Sequence, residues 1–155
     1  MSNGTKVKKR DGRIESLDLD KMHLMVAEAT RGLAGVSASQ VEMQSGIQFY
    51  DGISTDEIQE ILIKSASDLI DLEHPNYQFV AARLLLFSLR KQMFGRRSEH
   101  PKLIDHITEK CYAGVYDKDI FTKYSQEEIE KVGHWVDHDR DFLFTYAGLR
   151  QVVDK

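Results

Sequence analysis

The segment at residues 77–95 constrains this chain most. Val80, Ala81, Leu84, Leu85, Leu86, Phe87 and Leu89 leave it hardly any polar face. A helix that is apolar on most sides is stable only when neighbours cover it. A chain of 155 residues is long enough to supply that cover from a single core. Pro75 and Pro101 are the only prolines, so long helices meet few interruptions. The expected fold is mainly α, with this segment as the central helix of a bundle.

The preceding sequence supplies the other helices. Leu19, Met22, Val26, Ala29 and Leu33 recur at helical steps behind an Asp18 cap, and Gly32 and Gly35 end the run. Ser37 with Gln40 forms a capping box that opens a second helix to about residue 50, where Asp51-Gly52 stops it. Ser54 with Glu57 opens a third, with Ile58, Ile61, Leu62, Ser65 and Leu69 on one face. Pro75 suits an early position of the central helix. Ahead of these helices, Val7-Lys8-Lys9-Arg10 and Arg13-Ile14-Glu15 flank Asp11-Gly12. That pair accepts the positive φ angles of a type I′ turn and predicts a β-hairpin.

A boundary is expected at Gly95-Arg96-Arg97-Ser98. It makes residues 1–95 a four-helix unit capped by the hairpin, and residues 96–155 a helical extension. In the extension Pro101 starts a helix carrying Leu103, Ile104, Ile107 and Cys111, and residues 114–119 form a loop. Ser125 with Glu128 caps another helix, and residues 139–153 form the last.

Charge and composition exclude several functions. With 21 basic against 25 acidic side chains the net charge is −4, which argues against a general nucleic-acid partner. No run of 18 uncharged apolar residues is present and the N-terminus has no apolar stretch, so neither a membrane span nor a secretory signal is expected. The expected location is the cytoplasm. Cys111 is the only cysteine, which excludes an internal disulfide, a multi-cysteine zinc site and dithiol chemistry within one chain. The glycine-rich phosphate loops are absent. His134 and His138 stand one helical turn apart, a spacing that can chelate a metal. They lack the H-E-x-x-H context and lie in an acidic, solvated stretch, so no protein-borne metal site is expected.

Three features could meet an anion. Lys8, Lys9 and Arg10 lie beside the tight turn, and strand alternation puts Lys9 on the face of Val7. Charges on an edge strand usually guard against aggregation, yet cations there also suit phosphate oxygens. Thr55 stands at the positive end of the third helix. Lys91 ends the stripe Val80, Leu84, Phe87, where it complements the helix C-terminus, reaches water, or meets an anionic partner.

The run from Val7 to Glu15, followed by Asp18 and Lys21, resembles the ATP-cone, the allosteric nucleotide-binding domain that opens the large (alpha) subunit of class Ia ribonucleotide reductases. The resemblance continues through Ile47-Gln48-Phe49-Tyr50-Asp51-Gly52, Thr55, Tyr77-Gln78, Ala81-Ala82-Arg83-Leu84 and Leu89-Arg90-Lys91. It persists through Tyr116-Asp117 and Asp137-His138-Asp139-Arg140-Asp141 to Tyr146, nearly the whole chain. It implies a β-hairpin over a four-helix bundle, with ATP as activator or dATP as inhibitor between them, and Mg held only through phosphates. Lys9 and Arg10 would contact phosphates, with Thr55 and Lys91 on the opposite wall and Glu15 and Asp18 facing the adenine. Lys21 and the backbone of Ser16, Leu17, Leu19 and Asp20 would line the ribose and base, and Val7, Met22 and Gln59 complete the set. Asp18 stands where relatives carry Asn, and Gln59 where some carry His; both keep hydrogen-bonding capacity.

The implied partners are the rest of the large subunit, the radical-generating small subunit and other ATP-cones in an oligomer. The surface of the first two helices, with His23, Ser39 and Gly46, is the expected contact. The D-H-D-R-D run is structural in the resembled proteins. Ribonucleotide reduction in that family needs at least three thiols in one barrel, so a chain with Cys111 alone is expected to sense nucleotides without turning over. The rival expectation is a helical adaptor that binds no nucleotide.

Overall fold

The computed structural model describes residues 4–95 and 99–155, so Arg96-Arg97-Ser98 of the expected boundary lie outside the described residues. Val7, only 2% exposed, is the middle residue of strand β1 (Lys6–Lys8). β1 pairs antiparallel with β2 (Ile14–Ser16), Val7 opposite Glu15, and parallel with β3 (Ile53–Ser54), Val7 beside Ile53. The sheet order is therefore β2-β1-β3.

The hairpin turn differs from the expected type I′. The Gly12 amide donates to the Lys9 carbonyl at 2.9 Å and the Lys9 amide to the Arg13 carbonyl at 2.8 Å. Gly12 has φ +86°, while Asp11 keeps a negative φ. This is a three-residue loop closed by a glycine bulge. Asp11 favours it by accepting from the Arg13 amide at 3.1 Å, a side-chain turn that needs no left-handed residue at position 11. β1 ends at Lys8, but Lys9 still closes the hairpin against Arg13, and the exposed–buried alternation runs on to a half-buried Lys9 on the side of Val7.

Helix α1 (Leu19–Thr30) starts where the Asp18 carboxylate accepts from the Lys21 amide at 3.0 Å, and it buries Met25, Val26 and Ala29. α2 (Ala38–Gly46) begins at the Ser37 cap but stops four residues short of the expected end. Residues 47–52 turn back into β3 instead; Asp51 accepts from the Lys6 amide at 2.7 Å, and the Gly52 amide donates to Lys6 at 2.9 Å. α3 (Thr55–Asp68) carries the complete Ser54/Glu57 capping box. α4 (Tyr77–Phe94) is the central helix, with Val80, Ala81 and Leu84 fully buried. Pro75 lies in the turn before it rather than in its first turn. From α4 the buried Tyr77 hydroxyl accepts the Ser37 amide at 3.0 Å and donates to Gln40 at 2.6 Å. Arg83 Nη1 donates to the Ala29 and Arg31 carbonyls at 3.2 and 2.8 Å, closing the end of α1.

By contact density the chain divides into two units. One comprises the residues up to Ser88 with Phe142–Lys155; the other is Leu89–Asp141. In the second, α5 (Leu103–Tyr112), α6 (Ile120–Lys123) and α7 (Gln126–Trp135) enclose Ile107, Cys111 and Ile129. A Cβ on Gly133 would stand 3.0 Å from that of Leu103, so α5 and α7 approach closely because position 133 has no side chain. The last helix expected at residues 139–153 is two pieces, a 3-10 helix (His138–Leu143) and α8 (Tyr146–Val153). Thr145 splits them: it is extended (φ −79°, ψ 159°), and its hydroxyl caps α8 by accepting from the Gly148 amide. No described helix is long and apolar enough to cross a membrane.

Ile53 is fully buried in the strand that joins the hairpin to α3. Ile53→Ala is expected to lower the unfolding free energy by about 2–5 kcal/mol in urea denaturation, the range for truncating a buried branched side chain.

Candidate functional site

Because β3 runs directly into α3, its pairing with β1 brings the basic hairpin to the start of that helix. Arg10 reaches across and donates to Asp56, in the first turn of α3, through Nε at 2.9 Å and Nη2 at 2.6 Å. Lys9 Nζ lies 3.5 Å from Glu15 on β2, and Arg13 pairs with Asp11 at 2.7 Å and Glu15 at 3.3 Å. Lys21 meets its own helix cap, Asp18, at 3.3 Å. Lys9 and Arg10, the two cations placed against phosphate, thus each rest on a carboxylate of the same chain. These pairs are largely exposed, so each holds its partner only weakly against a better anion.

Thr55 is the first residue of α3, with Gln59 one turn further on. The Gln59 amide nitrogen lies 3.2 Å from Met25 Sδ on α1, while its buried carbonyl Oε1 has no hydrogen-bond partner. A buried acceptor left unmade is costly, and a ligand amino or hydroxyl group would relieve it. The residues present therefore fit a ligand with anionic oxygens at one end and hydrogen-bond donors at the other.

The structure brings Lys9, Arg10, Glu15, Thr55 and Gln59 to the region where the hairpin meets α3. Val7 is buried beneath the hairpin, and Ser16, on β2, accepts from Lys6 Nζ at 3.3 Å. Leu17, Leu19, Asp20 and Met22 instead line an open cleft of about 530 Å³ between α1 and α2, whose walls include none of Lys9, Arg10, Thr55 or Gln59. His23, Ser39 and Gly46 line the same cleft, and His23 Nδ1 lies 2.8 Å from Glu42. Lys91 is exposed in the last turn of α4, within the second unit. His134 and His138 do not share a helix: α7 ends at Trp135, and His134 Nδ1 is 2.7 Å from the Glu130 carbonyl. Sequence reasoning missed Asp56 as the partner of Arg10 and Met25 as the neighbour of Gln59. The opposite charges of Arg10 and Asp56 were a signal, but only β3 relates them.

A three-stranded sheet beside a set of capped helices, with Arg10 paired to the first turn of α3, is the framework of the first unit. The family model described as "ATP cone domain" matches residues 5–92, and the chain belongs to that family. Over its full length the chain is 45% identical to ribonucleoside-diphosphate reductase 1 subunit alpha of Escherichia coli, and 43% identical to the subunit alpha of Haemophilus influenzae. It is 40% identical over 149 residues to the subunit alpha of Enterobacteria phage T4. The chain spans about a fifth of the length of these relatives, 19–20% of each.

Two exposed carboxylates at these helix starts are held in their charged form by the groups they cap. The Lys21 amide holds Asp18 below its ordinary value of 3.8, and the Ser54 hydroxyl and amide, with the Tyr50 hydroxyl, hold Glu57 below 4.5. A depressed carboxylate adds stability that is present above its unfolded value and lost as pH falls through its folded value. Helical content followed by circular dichroism should therefore drop as pH falls below those ordinary values. Asp18→Asn, which keeps a capping oxygen but cannot titrate, should flatten that acid limb.

Proposed function

We propose that this chain is the nucleotide-sensing part of a ribonucleoside-diphosphate reductase large subunit, taking ATP as activator and dATP as inhibitor. The observation that carries this reading is the ATP-cone match over residues 5–92, on a chain whose hairpin holds Arg10 against the first turn of α3. The nucleotide domain is residues 1–95, and residues 96–155 lead towards the catalytic part of the subunit. On binding, Arg10 and Lys9 exchange Asp56 and Glu15 for phosphate oxygens, where charge-assisted hydrogen bonds are shorter and stronger. The amides at Thr55 add the positive end of α3. Glu15, Asp18 and Gln59 offer acceptors to the adenine amino group or the ribose hydroxyls. The backbone of the segment from Ser16 to Met22, with Val7, lines the base and sugar, while Leu17, Leu19, Asp20 and Met22 also border the α1–α2 cleft. Mg enters only through the phosphates.

ATP and dATP differ by one hydroxyl, so the response depends on how that atom changes the relative stability of two states. The partners are the rest of the large subunit, the radical-generating small subunit and other cones, met through the α1–α2 surface around His23, Ser39 and Gly46, in the cytoplasm. Reduction itself belongs to the rest of the subunit, since Cys111 is the one thiol here. A helical adaptor without nucleotide is not favoured, because the family match falls on a nucleotide-effector domain.

Titration calorimetry of the chain with dATP tests the reading. Micromolar or tighter binding is expected, and no heat of binding up to millimolar nucleotide overturns it. Lys9→Ala should weaken binding by about 1.5–3 kcal/mol, the usual worth of a hydrogen bond to a charged group. Asp56→Asn, which frees Arg10 and removes a like charge, should tighten it several-fold.

A further inference from the structure

The second unit holds a side-chain cluster that nucleotide sensing leaves unused. Four of the chain's six histidines, at positions 100, 106, 134 and 138, border one cavity of about 450 Å³. Two of them, His100 and His138, stack face to face with ring centroids 3.6 Å apart and planes within 3°. His138 Nδ1 lies 3.6 Å from Asp141 Oδ2. One donor atom from each of His100, His138 and Asp141 falls within 4.8 Å of the others. His100 Nε2 is buried and has no hydrogen-bond partner, an unmet polar atom aimed at nothing in the protein. We propose that His100, His138 and Asp141 form a binding site for a borderline divalent transition metal, of which Zn²⁺ is the representative.

The donor set selects the metal class. Two imidazoles and one carboxylate suit Zn²⁺, Ni²⁺ or Cu²⁺, whereas Mg²⁺ demands oxygen ligands in octahedral array. Burial holds His100 towards the neutral form that ligates, with the positive charge of Arg90 acting the same way. Bonds of about 2.1 Å at tetrahedral angles need donor atoms about 3.4 Å apart, so the cluster, now within 4.8 Å, closes by up to about 1.4 Å on loading. Stacked rings point their lone pairs along parallel planes, so one ring must turn. His138, 43% exposed at the start of the 3-10 helix, is the ring with room. His100 is fixed by the edge of Phe94, whose centroid is 5.8 Å away.

Arg90 Nη2 donates to Asp141 Oδ2 at 2.9 Å and orients the carboxylate as an outer partner does in a metal site. Its charge opposes a cation, and Glu99 and Glu109 in the adjoining cleft act against that. The expected affinity is therefore micromolar.

The test is a Zn²⁺ titration of the chain in chelator-free buffer, read by calorimetry, with Co²⁺ absorption reporting coordination geometry. One Zn²⁺ per chain is expected, with excess Mg²⁺ unable to compete and a tetrahedral Co²⁺ spectrum. His100→Gln and His138→Gln should each weaken binding at least tenfold, while His134→Gln and His23→Gln leave it unchanged. Binding that survives His100→Gln, is lost instead in His134→Gln, or is absent below millimolar Zn²⁺ overturns the site. If circular dichroism shows that His100→Gln does not fold, imidazole ¹⁵N shifts of the unaltered chain decide. Zn²⁺ must move both His100 and His138, and if either stays still the proposal fails.

Discussion

One parallel pair, Val7 beside Ile53, governs what the first unit can do. Both side chains are essentially buried, and 46 positions of chain separate them. Closing so long a loop costs entropy that two short strands could not offset alone; the helices packed behind them supply the balance. Once the pair is made, β3 leaves the sheet straight into α3, and the hairpin tip stands at the start of that helix. The Arg10–Asp56 contact and the anchoring of Lys6 by Asp51 both follow from this junction.

Helix starts were legible because caps are local. Asp18, Ser37, Ser54 and Ser125 each accept the backbone hydrogen bond that their spacing announced. β3 was not legible, since two residues are too few for alternation to register. The break at Thr145 carried a signal, a hydroxyl residue ahead of Tyr146, which the expectation of one helix over residues 139–153 passed over. The turn type was missed because Asp-Gly serves both a type I′ turn and a glycine bulge, and the Asp11 side chain chose between them. At the candidate site the cations could be named from charge alone. Their carboxylate partners, and the separation of Leu17, Leu19, Asp20 and Met22 into a different cleft, depend on long-range packing.

The buried Tyr77 and the half-buried Arg83 of α4 do more than fill space. Tyr77 and Arg83 hydrogen-bond to the beginning of α2 and the end of α1, respectively. Helix ends leave backbone groups unpaired, so a central helix that satisfies them fixes where its neighbours start and stop. Arg83 also lies 5.2 Å above the Phe142 ring, which ties the 3-10 segment to the same residue. Helix lengths in this bundle are thereby set partly across helices and not within each one.

The internal carboxylates on Lys9 and Arg10 give the hairpin a built-in competitor. Each of these exposed contacts is weak by itself, yet the carboxylate stays beside its cation because one chain holds both. Only a ligand that replaces several such contacts in one step overcomes the tether. Under the proposed reading, valency then matters more than size: a ligand with several anionic oxygens exchanges more of these weak contacts at once than a single small anion can.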